Sequence, residues 1–327
     1  MDLKNELRKR VDVFNIELKK YLENGRPKIL YDAARHLPMA GGKRLRPAIS
    51  MISCEAVSGD VKQVMPLAVS LELIHNFTLV HDDIMDKSHL RRNTPTVHIE
   101  YGEPTAIIAG DLLFAKAFEI MHDFPGDPAV FKKLDSGLVR SIREVCEGQQ
   151  LDMEFEKRHN VSEEEYLEMI RKKTSSLFII AAEGGALAGG GTAEEVKGMN
   201  AYGEFLGLAF QIRDDYLDMS SDEETLGKDI GNDIRNGKKT LIAVHSLNNA
   251  SGDDKKLLEN IFGNRDASER DVKKVYDLFE ELGSVEYAKN TALEYSGLAK
   301  KALDTLRDSD AKQVLLELAE YSIKREK

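Results

Sequence analysis

Apolar residues recur at three- and four-residue steps along almost the whole chain, a spacing that commits it to α-helix and leaves little room for sheet. Leu3, Leu7, Val11, Phe14 and Leu18 hold that register at the start, predicting a first helix over residues 2–23. Further helices are predicted over 48–57, 61–87, 104–122, 127–151, 162–189, 193–219, 238–249, 270–283, 284–307 and 311–324. Pro47 and Pro104 stand where first turns begin, the one helical position that tolerates proline. No glycine-rich turn joins a strand to a helix, which argues against a dinucleotide-binding fold. No Ser/Pro/Gly run divides the 327 residues. The expectation is therefore all-α: a single-domain bundle of about ten or more helices over residues 1–327.

Non-helical punctuation falls at 40–42, 91–95, 124–128 and 222–237, and three of these four places are unusually charged. Chemistry concentrates in such connections. The first long apolar run ends in His81-Asp82-Asp83-Ile84-Met85-Asp86, and a later one in Arg213-Asp214-Asp215-Tyr216-Leu217-Asp218. Both read D-D-x-x-D. Residues four apart share a helix face, roughly 6 Å apart along the axis. Asp82 with Asp86, and Asp214 with Asp218, thus place like charges together, which weakens a helix unless a cation intervenes. Two such motifs would coincide by chance in about one chain in a hundred of this composition. Hard carboxylate oxygens with open positions suit Mg²⁺ shared with phosphate oxygens.

Basic residues cluster beside these acids. Lys87 and Arg91-Arg92 follow the first motif, Lys228 and Lys238-Lys239 follow the second, and Gly41-Gly42-Lys43-Arg44-Leu45-Arg46-Pro47 lies upstream. A formal net charge of −11 speaks against a general nucleic-acid surface. A local field inverted by Mg²⁺ and assisted by Lys and Arg can nevertheless hold diphosphates. Two distant cysteines, Cys54 and Cys146, with no metal-ligand spacing, point to a reducing compartment. Residues 1–14 carry no apolar signal-peptide core, and the apolar stretch 177–191 contains Glu183 and five glycines, short of a membrane span. A cytoplasmic protein with no transmembrane segment is expected.

In order and spacing, GGKRLRP, LIHNFTLVHDDIMDKSHLRRNTPTVH, GDLLFAKAF, KKTSSLF, FQIRDDYLD and GKDIGNDIRNGKKT resemble the trans-isoprenyl diphosphate synthases of the polyprenyl synthetase family, archaeal geranylgeranyl diphosphate synthases in particular. The resemblance spans about residues 25–245; the C-terminal third carries no informative motif. It implies helices packed around a central cavity, a homodimer, and Mg²⁺ as cofactor. It assigns Asp82, Asp86 and Asp214 as metal ligands with Asp83, Asp215 and Asp218 nearby. Arg91, Lys173, Lys228 and Lys238 match contacts to an allylic diphosphate. Lys43, Arg46, His75 and Arg92 match contacts to isopentenyl diphosphate, and Thr174 and Gln211 lie close to the reacting carbon.

The implied activity is condensation of isopentenyl diphosphate with dimethylallyl, geranyl or farnesyl diphosphate. Closure of the 222–237 segment would keep water from the allylic cation. Chain length in the family is set below the first motif. Bulky Phe77 beside small Thr78, with Ile74 a turn deeper, resembles enzymes that stop at C20. A C15 or mixed C15/C20 product is the alternative. Two rivals differ in kind. A terpene cyclase would replace the second aspartate motif and has no need of GGKRLRP, and a non-catalytic partner subunit would lose an acidic motif.

Overall fold

The computed structural model describes residues 2–22, 25–158, 160–220 and 231–324. The chain is all-α, as the periodicity requires. Its contacts divide it into two compact units, each assembled from three separate segments.

The first unit comprises Met1–Ile142, Leu177–Ala201 and Leu303–Leu318. Helix α1 (Leu3–Tyr21) opens with Asp2 accepting from the backbone amides of Lys4 and Asn5. Helices α2 (Lys28–Met39), α3 (Leu45–Ala56) and α4 (Val61–Met85) follow. The side chain of Asp60 caps α4 by accepting from Lys62 N. Helix α4 buries residues all round, from Val64 to Ile74, the pattern of a helix at the centre of a core rather than on its rim. It packs along α6 (Glu103–Met121) and α3. Helix α4 is also the one described helix long and apolar enough to cross a membrane by length and composition. Two-thirds (67%) of its most apolar window is buried inside the protein.

Between α4 and α6 lie a two-residue antiparallel pair, Leu90–Arg91 against Thr94–Pro95, and the short α5 (Val97–Tyr101). Helices α7 (Pro128–Glu156), α9 (Ser176–Ala188) and α10 (Ala193–Ser220) continue the chain, with α8 (Glu163–Ile170) between α7 and α9.

The second unit comprises Arg143–Ser176, Tyr202–Ala302 and Ala319–Lys327. Its core gathers Phe155, Tyr166, Ile212, Leu241, Val275 and Phe279. After α11 (Asn232–Asn236), α12 (Leu241–Asn249) starts on a Thr240 cap and packs on α8 and α15 (Ser284–Ala302). Helices α13 (Gly252–Ile261) and α14 (Glu269–Glu281) precede α15, and α16 (Asp310–Lys324) closes the chain.

Helices α2, α5, α11 and α13 lie outside the predicted set, and three further departures have physical causes. The helix predicted over 162–189 is interrupted by a π-helical turn, Arg171–Ser175, where KKTSS breaks the apolar run. Helix α7 runs to Glu156, past the predicted end at 151, because nothing after Leu151 breaks a helix. Residues 91–95, expected as loop, form the small strand pair.

Candidate functional site

Helix α4 delivers the first acidic motif. Asp82 is partly buried and Asp86 exposed, whereas Asp83 between them is buried. Arg91 Nε donates to Asp83 Oδ1 at 2.7 Å. Burial raises the Asp83 pKa, and the neighbouring Arg91 guanidinium works against that rise. Asp83 thus points inward and fixes Arg91, while Asp82 and Asp86 keep access to solvent.

The strand pair containing Arg91 turns through Arg92 and Asn93, both with positive φ. Arg92 Nη1 donates to the carbonyl oxygens of Leu37, at 3.2 Å, and Gly41. Gly42 has φ +132°, a backbone conformation that favours glycine; a Cβ there would lie 2.9 Å from Arg92 Cζ, and the guanidinium would have to shift to admit it.

Arg44 holds the other end of this loop. It enters α3 in the left-handed conformation, with φ 49°, and its side chain is inside the protein. Arg44 Nη1 meets Glu72 Oε1 at 2.5 Å, both side chains being 3% exposed. Asn76 Nδ2 donates to Glu72 Oε1 at 2.9 Å, and Arg44 also donates to Pro38 O. Anchored this way, the loop leaves Lys43 exposed and sets the Arg46 guanidinium 4.7 Å from the centre of the Phe178 ring. His75 lies two turns below Asp82 on α4. Burial first, then the charges of Arg46, Arg92, Arg91 and Arg44, hold its pKa well below the ordinary imidazole value. His75 is therefore held in its neutral form.

Phe77 lies edge-on to His81 and to Phe114 of α6, at 4.8 and 5.3 Å between ring centres, and Phe114 continues to Phe118 at 5.2 Å. Ile74 is buried, and the Thr78 hydroxyl donates to His75 O at 2.8 Å.

In the second unit, Lys173 and Thr174 lie in the π turn, a feature that recurs at functional sites. Lys173 Nζ contacts Asp152 Oδ2 at 2.5 Å. The Thr174 hydroxyl donates to Gln211 Oε1 at 2.7 Å, and Gln211 Nε2 donates to Asp215 Oδ1 at 3.1 Å. Tyr166 OH donates to Asp215 Oδ2 at 2.9 Å, and Lys238 Nζ approaches Asp215 at 3.7 Å and Asp233 at 3.5 Å. Burial raises the Asp215 pKa against the pull of Lys238, Tyr166 and Gln211. Asp215 therefore organises a network, whereas Asp214, one residue earlier, is partly exposed. Asp218 lies within α10, but its side chain is outside the described residues, as are Lys228 and the 221–230 part of the segment expected to close.

A Cβ at Gly148 would lie 2.3 Å from Lys173 N and 2.7 Å from its Cα, both backbone atoms that cannot swing away. Gly148→Ala should destabilise the protein by about 1–3 kcal/mol, read as a lowered denaturant midpoint. An unchanged midpoint would show that the π turn is not held by this approach.

The acidic groups can be tested against a metal on their own geometry. Among the described residues no group of three His, Cys, Asp or Glu side chains could hold an ion unaided. Helix α4 offers Asp82 and Asp86 as hard oxygen donors, and α10 offers Asp214. Each of these, taken by itself, suits an ion that keeps water and completes its shell with substrate phosphates, as Mg²⁺ does. Neither suits a structural ion in a protein cage.

The sequence profile of the polyprenyl synthetase family matches residues 27–279, and the chain belongs to that family. The chain is 44% identical, over 100% of its length and 99% of the relative's, to the geranylgeranyl diphosphate synthase of Methanosarcina mazei. It is equally similar, at 44% and the same coverage, to the short chain isoprenyl diphosphate synthase of Methanothermobacter thermautotrophicus. The crystal structure of geranylgeranyl pyrophosphate synthetase from Pyrococcus horikoshii superposes with a TM-score of 0.94 at 42% identity, covering 99% of each chain.

Sequence reasoning missed the residues that hold the site's side chains in place. Glu72 and Asn76 carried a readable signal, two polar groups four apart in an apolar run. Tyr166 and Asp152 carried none.

Proposed function

We propose that this protein is a Mg²⁺-dependent prenyltransferase that condenses isopentenyl diphosphate with allylic diphosphates and stops at geranylgeranyl diphosphate, C20. One observation carries the reading. Helix α4 bears two chemically different elements, solvent-facing carboxylates at Asp82 and Asp86 and, two turns earlier, His75, which feels the charges of Arg44, Arg46, Arg91 and Arg92 from the flanking segments. The first can take a diphosphate only with a divalent cation between them, and the second can take one directly. A terpene cyclase needs only the first. The chain is read as one catalytic domain, supported by a family match that runs through segments of both units.

In this reading Asp82, Asp86, Asp214 and Asp218 hold Mg²⁺, while Asp83 and Asp215 orient Arg91 and Lys238. Bound Mg²⁺ supplies Lewis-acid stabilisation of the charge on the departing pyrophosphate. Arg91, Lys173, Lys228 and Lys238 bind and neutralise the allylic diphosphate, and Lys43, Arg46, His75 and Arg92 orient isopentenyl diphosphate. Thr174 and Gln211 present fixed dipoles toward the carbon that becomes cationic. No side-chain nucleophile is required. Cys54 is buried with its thiol pushed up to about 12, which makes it unreactive.

Incubation with Mg²⁺, isopentenyl diphosphate and each of the three starters, followed by chromatography of the dephosphorylated alcohols, is expected to give geranylgeraniol. No elongation from any starter overturns prenyl transfer. A C15 end product overturns only the length assignment.

The aromatic row Phe77–Phe114–Phe118 supports Phe77 as the floor that limits the chain. Phe77→Ala should shift the main product to C25 or longer, visible in the same chromatogram. An unchanged C20 limit would remove Phe77 from that role. A homodimer fits this reading, supported by Ile107 and Ile108 left 41% and 53% exposed on α6, and a cytoplasmic location is proposed with it.

A further inference from the structure

The second unit contains another cationic pocket, which the proposed reaction does not use. Its cavity of about 160 Å³ is lined by Lys157, Arg158, Asn160, Lys239, Lys255 and Phe262, with Glu156 and Glu259 as its acidic members. Lys239 directly follows Lys238, yet the two side chains serve different places. Lys238 reaches Asp215 and Asp233, whereas Lys239 Nζ donates to Gly237 O at 3.0 Å and lies 4.8 Å from the centre of the Phe262 ring. Lys239 is only 4% exposed.

An ammonium carries three N–H donors. Among the described residues one carbonyl and one ring face account for two of them, which leaves the third for an occupant of the cavity. Burial brings the Lys239 pKa down to about 8, with Glu156 as the charge that resists the fall. A buried cation this weakly compensated is costly and gains from an anion beside it.

Four cationic residues line the cavity against two carboxylates, a local excess of positive charge in a chain of net charge −11. Arg158 is partly committed to Glu165 at 2.8 Å; Lys157 and Lys255 stand at the exposed rim. The volume lies well below the roughly 300 Å³ at which pockets for larger organic ligands begin. A prenyl chain is excluded by size, and a small oxyanion is admitted. We propose that this pocket binds a small oxyanion of the phosphate class, held by Lys239 and Lys255 with the Asn160 amide. The site stands apart from the catalytic reading and does not depend on it.

Inorganic phosphate and pyrophosphate are the two sources of this chemistry. The test is amine acylation of the full-length chain in the presence of a metal chelator, with Lys239 modification quantified by peptide mass spectrometry. A saturating anion should slow that modification about tenfold or more, and Lys255→Ala should abolish the protection. Whichever of the two anions protects at lower concentration is the ligand. A second readout covers a lysine too enclosed to react. Phosphate should raise the thermal midpoint of the wild type more than that of Lys239→Met. The proposal is overturned by protection that survives Lys255→Ala, by a reactive Lys239 that neither anion protects, or by an equal thermal rise in Lys239→Met.

Discussion

Asp82→Ala is expected to lose about three orders of magnitude in condensation rate, the several kcal/mol of charge stabilisation that a metal-held diphosphate would supply. The size of the loss follows from how few donors there are. Helix α4 presents Asp82 and Asp86 to solvent, while Asp83 is buried against Arg91 and cannot substitute without breaking that pair. The cationic group around His75 is untouched by the change, so isopentenyl diphosphate should still bind. Steady-state kinetics together with equilibrium binding of isopentenyl diphosphate separate the two effects. Near-normal turnover in Asp82→Ala would refute the assignment of metal to the first motif.

The second large effect is on stability. Arg44→Met leaves the Glu72 side chain, 3% exposed, deprived of its ion partner. Breaking one side of such a pair costs about 3–5 kcal/mol, because the surviving charge remains buried without compensation. Arg44→Met combined with Glu72→Met removes both charges and should recover most of the loss. Urea unfolding followed by circular dichroism distinguishes the cases. If the double variant proves no more stable than the single one, the pair holds the loop through contacts other than charge. Activity should fall in both variants, because Arg44 also anchors the backbone that presents Lys43 and Arg46.

The helical architecture was legible in the sequence because its signal is periodic and repeated. The residues proposed to meet ligands stood out for a different reason: the acidic motifs and GGKRLRP place charges where a helix or loop would otherwise avoid them. What was not legible is the layer that aims those charges. The inward turn of Asp83 and Asp215 cannot be read from D-D-x-x-D, whose three aspartates look alike until burial separates them. The π turn holding Lys173 and Thr174 falls where KKTSS interrupts the apolar run, but that polar run does not itself specify the extra residue of a π turn. The turn becomes visible only through the close approach of Gly148. Tyr166 reads as an ordinary core aromatic, and only its hydroxyl's bond to Asp215 gives it a role.

The central claim is that one diphosphate is held through a metal on carboxylates and the other directly by cationic side chains. Titration calorimetry of a non-ionising thio analogue of geranyl diphosphate, and separately of isopentenyl diphosphate, tests it with Mg²⁺ and again with a chelator. The allylic analogue should bind only when Mg²⁺ is present, and isopentenyl diphosphate should bind in both conditions. Equal binding of the allylic analogue with and without the chelator would contradict the account.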